Sequence, residues 1–279
     1  MNPERNPHQP IGFFDSGVGG LSVLRALRKQ FAGESVIYFA DQGHVPYGPR
    51  PLEEVRSFSK EITRFLLSLG AKIIVVACNT ASAAALHTLR QTFSSVSFVG
   101  MEPAVKPAAE STQTGKVGVL ATPATFQGAL YASVVERFAG HVALLQNTCP
   151  GLVQQIEAGE LDTPATRAIL EAALNPMLVQ GIDTVVLGCT HYPFVIPLIQ
   201  GIVGPKVRVI DPAPAVARQT GRLLSSAGLL ESGAGTGRLQ FYTSGDRKAF
   251  RNLLPRLLGE DGPVQEITWD GLRIQRPSV

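Results

Sequence analysis

The chain carries three cysteines in 279 residues, Cys78, Cys149 and Cys189, and two of them stand in matched surroundings. Ile73-Ile74-Val75-Val76-Ala77-Cys78-Asn79-Thr80 and Thr184-Val185-Val186-Leu187-Gly188-Cys189-Thr190-His191 each run an apolar, β-branched stretch into a cysteine, then into polar residues that can open a helix. Such runs read as strands buried on both faces of a parallel sheet. Ligands of open α/β sheets bind beyond the carboxyl ends of the strands, so both thiols fall where chemistry is usually done. Two such ends point to one site built from two halves.

A thiol beside a helix N-terminus has its thiolate favoured by the partial positive charge there. An unperturbed thiol, with a pKa of about 8.5, is only a few per cent ionised at neutral pH, so that help matters. Two such thiols facing across a cleft can invert a carbon centre: the thiolate removes a proton from one face while the thiol delivers one to the other. The pair needs opposite protonation states that swap at each turnover, and polar neighbours must tune both. Asp15 is the candidate beside Cys78; His191, with Glu157 as its partner, is the candidate beside Cys189. Asn79, Thr80, Thr122 and Thr190 are placed to bind carboxylate or amino groups. Each residue also has a plainer explanation: a free cysteine is often an inert small hydrophobe, which is our reading of Cys149. His191 could cap a helix, Glu157 could be a solvated helix residue and Asp41 could cap a turn.

The elements that must position these groups follow α/β logic. Ile11 to Phe14 is a strand running into Asp15-Ser16-Gly17-Val18-Gly19-Gly20 and a helix over about 21–30. The glycines allow tight turning and close approach, but G-x-G-x-x-G spacing is absent, and Asp15 could serve only as a helix cap. A strand over 35–40 leads to Asp41 and a loop with His44, Pro46, Tyr47, Gly48 and Arg50, whose Pro-Tyr-Gly turn presents backbone donors beside a phenol. Val55, Phe58, Ile62, Phe65, Leu66 and Leu69 repeat with helical period up to Gly70. Asn79 or Thr80 is expected to cap the helix after Cys78. After a short strand at 96–100, Met101-Glu102-Pro103 reads as a domain crossing. A second strand-turn-helix plan begins at Lys116 and stands to Cys189 as the first stands to Cys78, a degenerate internal repeat. Its elements are helices near 127–138, 152–158 and 164–180 and strands at 141–145, 184–188 and 207–210. Asp211-Pro212-Ala213-Pro214 reads as the return crossing. A helix near 216–227, a strand at 239–243 and a helix over 249–258 follow, and the terminal part is expected to pack back on the first domain.

Length and composition bound the rest. The chain suits two α/β domains. Apolar content of 44% against 17% charged indicates a globular protein, and the net charge of +3 is mild. No basic run with interleaved aromatics suggests a nucleic-acid groove. The first ten residues, with three prolines and no apolar core, read as a flexible leader rather than a signal peptide or anchor. No stretch reaches the roughly 18 to 20 apolar residues of a membrane span, which points to a cytoplasmic protein. Three sparse cysteines argue against a disulfide framework or zinc knuckle, and no C-x-x-C marks a thiol oxidoreductase.

Taken together, Asp15-Ser16-Gly17-Val18-Gly19-Gly20, Asp41 with Pro46-Tyr47-Gly48 and Arg50, Ala77-Cys78-Asn79-Thr80-Ala81-Ser82, Gly188-Cys189-Thr190-His191-Tyr192-Pro193 and Thr243-Ser244-Gly245-Asp246 resemble the aspartate/glutamate racemase family, its glutamate-specific members in particular. The resemblance implies interconversion of L- and D-glutamate without pyridoxal phosphate or metal, supplying D-glutamate for peptidoglycan. It implies Cys78 and Cys189 as the acid/base pair, assisted by Asp15, Glu157 and His191. Substrate contacts fall to Asp15, Ser16, Asp41, Pro46, Tyr47, Gly48, Asn79, Thr80, Thr122, Thr190 and His191. It implies an α/β fold of two pseudo-symmetric, doubly wound parallel-sheet domains with the site in the cleft between them, usually in a homodimer. The expected limits are a leader at 1–10, a first domain at 11–102 plus 214–279 and a second at 103–213. Aspartate is the alternative substrate, and a binding module that closes on an amino acid without chemistry is the alternative class.

Overall fold

The structure, a computed structural model, describes residues 5–233 and 235–275. Residues 1–4 of the expected leader and the last four of the expected first domain lie outside them. The chain opens with β1 (Ile11–Asp15), α1 (Leu21–Gln30), β2 (Val36–Ala40), α2 (Leu52–Ser68), β3 (Ile74–Val76), α3 (Asn79–Thr92) and β4 (Phe98–Val99). It continues through α4 (Val105–Ser111), β5 (Lys116–Ala121), α5 (Pro123–Gln127), α6 (Ala129–Phe138), β6 (Ala143–Asn147), α7 (Leu152–Glu157), α8 (Pro164–Val179), β7 (Thr184–Gly188), α9 (Ile196–Val203) and β8 (Arg208–Ile210). It closes with α10 (Ala213–Ser226), β9 (Leu239–Thr243), α11 (Arg247–Leu257), β10 (Val264–Glu266), β11 (Thr268–Asp270) and β12 (Arg273–Gln275).

Two parallel sheets organise these elements, in the orders β10-β9-β2-β1-β3-β4 and β6-β5-β7-β8, while β11 and β12 form a separate antiparallel hairpin. Within the first sheet the run β2-β1-β3-β4 has the same order as the whole of the second, which is the internal repeat seen in space. In each repeat the first and third strands lie side by side while their crossovers leave in opposite directions, the switch point where α/β sheets bind ligands. Asp15 ends β1 and Cys78 follows β3; Thr122 follows β5 and Cys189 follows β7.

Burial explains the strands. Every residue of β1, β2, β3 and β7 is buried, as strands covered on both faces require. Alternation sorts their side chains: Phe13 and Val75 join one core cluster, and Phe14, Ile74 and Val76 another on the opposite face. The Phe13 cluster continues into Leu120, Leu152, Ile156 and Leu187 of the second repeat, so one apolar body spans both sheets below the strand ends. Helix α2 buries Val55, Phe58, Ile62, Phe65 and Leu66, the stripe expected from its spacing, and ends before Gly70 at φ +84°.

Some local expectations need correction. Neither Asn79 nor Thr80 caps α3; Cys78 does, in extended conformation, its sulfur accepting from the Ala81 amide at 3.4 Å. Asp15 does not cap α1, whose N-cap is Gly20; its carboxylate binds the Gly17 amide instead. The return crossing is shorter than expected because α10 starts at Ala213, with a proline in its first turn where a missing N–H costs nothing. Helix α4 and the three-residue strands β10, β11 and β12 are additions, too short and too polar to show a hydrophobic period. The strands nevertheless pack back on the first domain's elements, β10 pairing with β9 and β12 lying on α2, while α4 packs on α6 and the second sheet. From the expected leader, the Pro7 carbonyl accepts from buried Lys72 at 2.5 Å.

Candidate active site

The strand ends of both sheets meet in one narrow cleft lined by Ser16, Pro46, Tyr47, Gly48, Cys78, Asn79, Thr80, Thr122, Val153, Cys189, Thr190 and His191. Both thiols are almost wholly buried, Cys78 at 4% and Cys189 at 5% exposure. Nearly all the residues nominated from the sequence as substrate contacts line this space.

On the Cys78 side stands Asp15, with no exposed surface. One of its oxygens accepts from the Gly17 amide at 2.8 Å and the other from Thr190 Oγ1 at 2.9 Å, a bond that joins the two repeats. Burial raises the Asp15 carboxyl to about 6, against the lowering pull of His191 and of its hydrogen bonds. Burial also pushes the Cys78 thiol well up, and the nearby Asp15 and Cys189 add to this, outweighing the Ala81 and Ser16 amides. The helix N-terminus is present, but desolvation wins over it.

The Cys189 side has the opposite character. Cys189 Sγ lies 3.7 Å from His191 Nδ1, and His191 Nε2 lies 2.6 Å from Glu157 Oε1. Glu157 also accepts from the Val18 amide and from Gln42 Nε2, each at 2.8 Å. Burial alone would lower the His191 imidazole, yet Cys189 and Glu157 together hold it well above its usual value. Glu157 moves the other way: burial opposes its charge, and the bonds from His191, Gln42 and Val18 overcome that and lower it. A carboxyl thus sits by one thiol and a carboxylate-backed imidazolium by the other. That asymmetry suits a pair that must hold one proton between them.

The glycine-rich turn has a reason the sequence hid. A Cβ on Gly17 would fall onto the Glu157 carboxylate, and one on Gly19 onto the His191 ring. The turn after β1 is stripped of side chains so that the dyad of the second repeat can reach across. Gly48 likewise lets Thr122 approach, a Cβ there lying 2.9 Å from that of Thr122. Thr122 caps α5 and shares a 2.8 Å hydrogen bond with Thr80 Oγ1, a second tie between the repeats.

Asn79 is unlike its neighbours. It is 3% exposed, and neither its Nδ2 nor its Oδ1 has a hydrogen-bond partner among the described residues. Unpaired buried amide atoms are costly, and Asn79 lines the cleft, where a polar ligand could satisfy them.

Asp41 departs from expectation. It does not line the cleft; it lies behind Tyr47, accepting from Tyr47 Oη at 2.6 Å, Ser244 Oγ at 2.7 Å, Trp269 Nε1 at 2.9 Å and His44 Nδ1 at 3.0 Å. With both oxygens engaged it has no lone pair to spare for a substrate. Cys149 is buried outside the cleft in a left-handed conformation, its thiol raised to about 12 first by burial and then by Cys189. Sequence reasoning missed Val153, Gln42 and Ser22, whose hydroxyl donates to the Thr190 carbonyl at 2.8 Å. None of the three carried a local signal.

Comparison with known proteins shows the family. The profile of the Asp/Glu/Hydantoin racemase family matches residues 11–220. A glutamate racemase of Ectopseudomonas mendocina is 49% identical over 255 residues, 91% of this chain and 97% of its own. Among solved structures, a glutamate racemase isoform of Bacillus anthracis superposes with a TM-score of 0.84 at 33% identity, covering 96% of this chain and 100% of its own. The glutamate racemase of Francisella tularensis, solved in complex with D-glutamate, superposes with a TM-score of 0.81 at 28% identity, covering 94% and 98%. With the match spanning both repeats and every loop that builds the cleft, the chain belongs to the Asp/Glu/Hydantoin racemase family, a family of isomerases.

Proposed function

We propose that this protein is a glutamate racemase that inverts the α-carbon by two-thiol proton transfer. The observation that carries the reading is a pair of buried thiols on one cleft, supplied by equivalent strand ends of a repeated fold, with a carboxyl beside one and a carboxylate-backed imidazolium beside the other. In one direction a cysteine thiolate takes the α-proton and becomes a thiol. The opposite thiol gives its proton to the other face of the resulting carbanion and becomes a thiolate. The electron pair of the broken C–H bond ends in the new one, so no electron acceptor is required. Asp15 acts at Cys78, and His191, charged through Glu157, acts at Cys189. Asn79, Thr80, Thr190, Ser16 and the backbone of Tyr47 and Gly48 hold the carboxylates and the ammonium group.

Glutamate is favoured because the similar proteins over nearly their full lengths are named glutamate racemases. In the same reading the product is D-glutamate for peptidoglycan, the enzyme works in the cytoplasm as a homodimer, and the domains are 11–102 with 214–279 and 103–213. Among the described residues, no helix is long and apolar enough to cross a membrane. The deciding experiment follows L- and D-glutamate by circular dichroism without added cofactor, in wild type, Cys78→Ala and Cys189→Ala. Decay of both enantiomers, abolished by either substitution and accompanied by solvent deuterium at the α-carbon, is expected. Decay with aspartate alone would reassign the substrate, and no decay with either would leave a binding protein.

A further inference from the structure

The family profile ends at residue 220, yet a later segment packs behind the cleft wall. Trp269, the sole tryptophan of the chain, lies on the β11–β12 hairpin and donates its indole N–H to Asp41 at 2.9 Å. Asp41 is fully buried, and through its other oxygen it accepts from the Tyr47 hydroxyl at 2.6 Å. The rings reinforce the same chain of contacts. Trp269 packs edge-on to His44 and Phe58 at 5.1 and 5.5 Å between centroids, His44 stacks on Phe58 at 4.0 Å, and Phe58 lies 5.9 Å from Tyr47. The hairpin is in turn tied to α2, where Glu61 accepts from Arg273 Nη1 at 3.3 Å and from the Ile274 amide at 3.4 Å.

A buried carboxylate that receives four donors fixes each of them, because moving one leaves charge unpaired. Only Tyr47 among those four donors lines the cleft. We infer that Trp269 is a positioning residue for the racemase reaction: acting through Asp41, it sets the Tyr47 phenol and so the Pro46-Tyr47-Gly48 wall against which the substrate is held. This inference rests on the glutamate racemase reading. It turns Asp41 from a substrate contact into a hub, and makes the carboxyl-terminal hairpin part of the substrate site.

The test is a double-mutant cycle of Trp269→Phe and Tyr47→Phe, read as kcat and KM for D-glutamate, with Ser244→Ala as a companion that removes another donor from Asp41. Phenylalanine keeps a ring against His44 and Phe58 and removes the indole N–H, so the fold is retained. Each single variant is expected to lose roughly tenfold in kcat/KM, carried by KM, the effect of one bond to a charged group. If Trp269 acts through Tyr47, the double variant is no worse than the poorer single one; residues sharing no partner would multiply their losses. Wild-type kcat/KM in Trp269→Phe, or a loss of about a hundredfold in the double variant, would overturn the inference. A wild type that fails to racemise glutamate gives a different signal and would remove both readings.

Discussion

Replacing Glu157 by Gln isolates the charge that supports His191. The substitution keeps shape and leaves an oxygen able to accept from His191 Nε2 and the Val18 amide, now 2.6 and 2.8 Å from Glu157 Oε1. It removes the negative charge, and because the His191 and Glu157 side chains are only 3% and 11% exposed, solvent screens that loss poorly. A hydrogen bond to a charged group contributes about 1.5–3 kcal/mol, and losing that charge lowers the His191 pKa. His191 is raised in the wild type, so its charged form and the activity that needs it survive to alkaline pH and are lost only as pH rises through that elevated value. Glu157→Gln brings the loss to lower pH, with a fall of about ten- to a hundredfold in kcat/KM on the alkaline side. Enantiomers are equal in energy, so kcat/KM must fall equally in both directions, an internal check on the data. The assay is the pH profile of kcat/KM by circular dichroism, with thermal melts confirming the fold. An alkaline limb at the wild-type position, whatever the drop in rate, would refute the assignment of Glu157 as one of the groups that keep His191 charged.

Three further outcomes are expected. Asp15 binds its proton more tightly folded than unfolded, its value raised from 3.8 to about 6, so stability is highest below pH 4 on its account and declines as pH rises to about 6. Asp15→Asn should therefore stabilise the protein at pH 7.5 by up to about 3 kcal/mol, raising the melting temperature by several degrees while racemisation collapses; an unchanged or lower melting temperature would contradict the burial argument. Gly17→Ala should cost on the order of a hundredfold in kcat/KM in a folded protein, since its Cβ would displace the Glu157 carboxylate. Gly140→Ala, with nothing within 4 Å, is the control, and equal activity in the two would count against the turn's role. Cys149→Ala should retain activity within about threefold and keep its alkylation-sensitive thiols, as expected of a small buried hydrophobe; loss comparable to Cys189→Ala would make it part of the chemistry.

Much of the fold was legible because it rests on short-range pattern. The apolar runs before Cys78 and Cys189 announced strands buried on both faces, and the stripe from Val55 to Leu66 announced α2. The repeat of strand, turn and helix announced two like sheets. What failed locally failed for local reasons. A thiol took the capping position that Asn79 and Thr80 were expected to fill, and the three-residue strands β10 to β12 have no room to display a period.

The sequence by itself determined the chemistry available: two thiols at strand ends, a flexible turn, an imidazole two positions beyond one thiol, and candidate acids elsewhere in the chain. Only the tertiary structure decided how those groups meet across the two repeats. Asp15 and Thr190 are 175 positions apart and bond at 2.9 Å, and Trp269 lies 228 positions from the Asp41 it holds. Asp41 read as a substrate contact in sequence and became a buried hub in space, and the glycines of 17–20 read as a turn and became the opening through which Glu157 and His191 enter. The physical reason is that periodicity and propensity are properties of neighbours along the chain. Burial, and the long-range hydrogen bonds that set the charges in this cleft, depend on which distant strand ends the two sheets bring face to face.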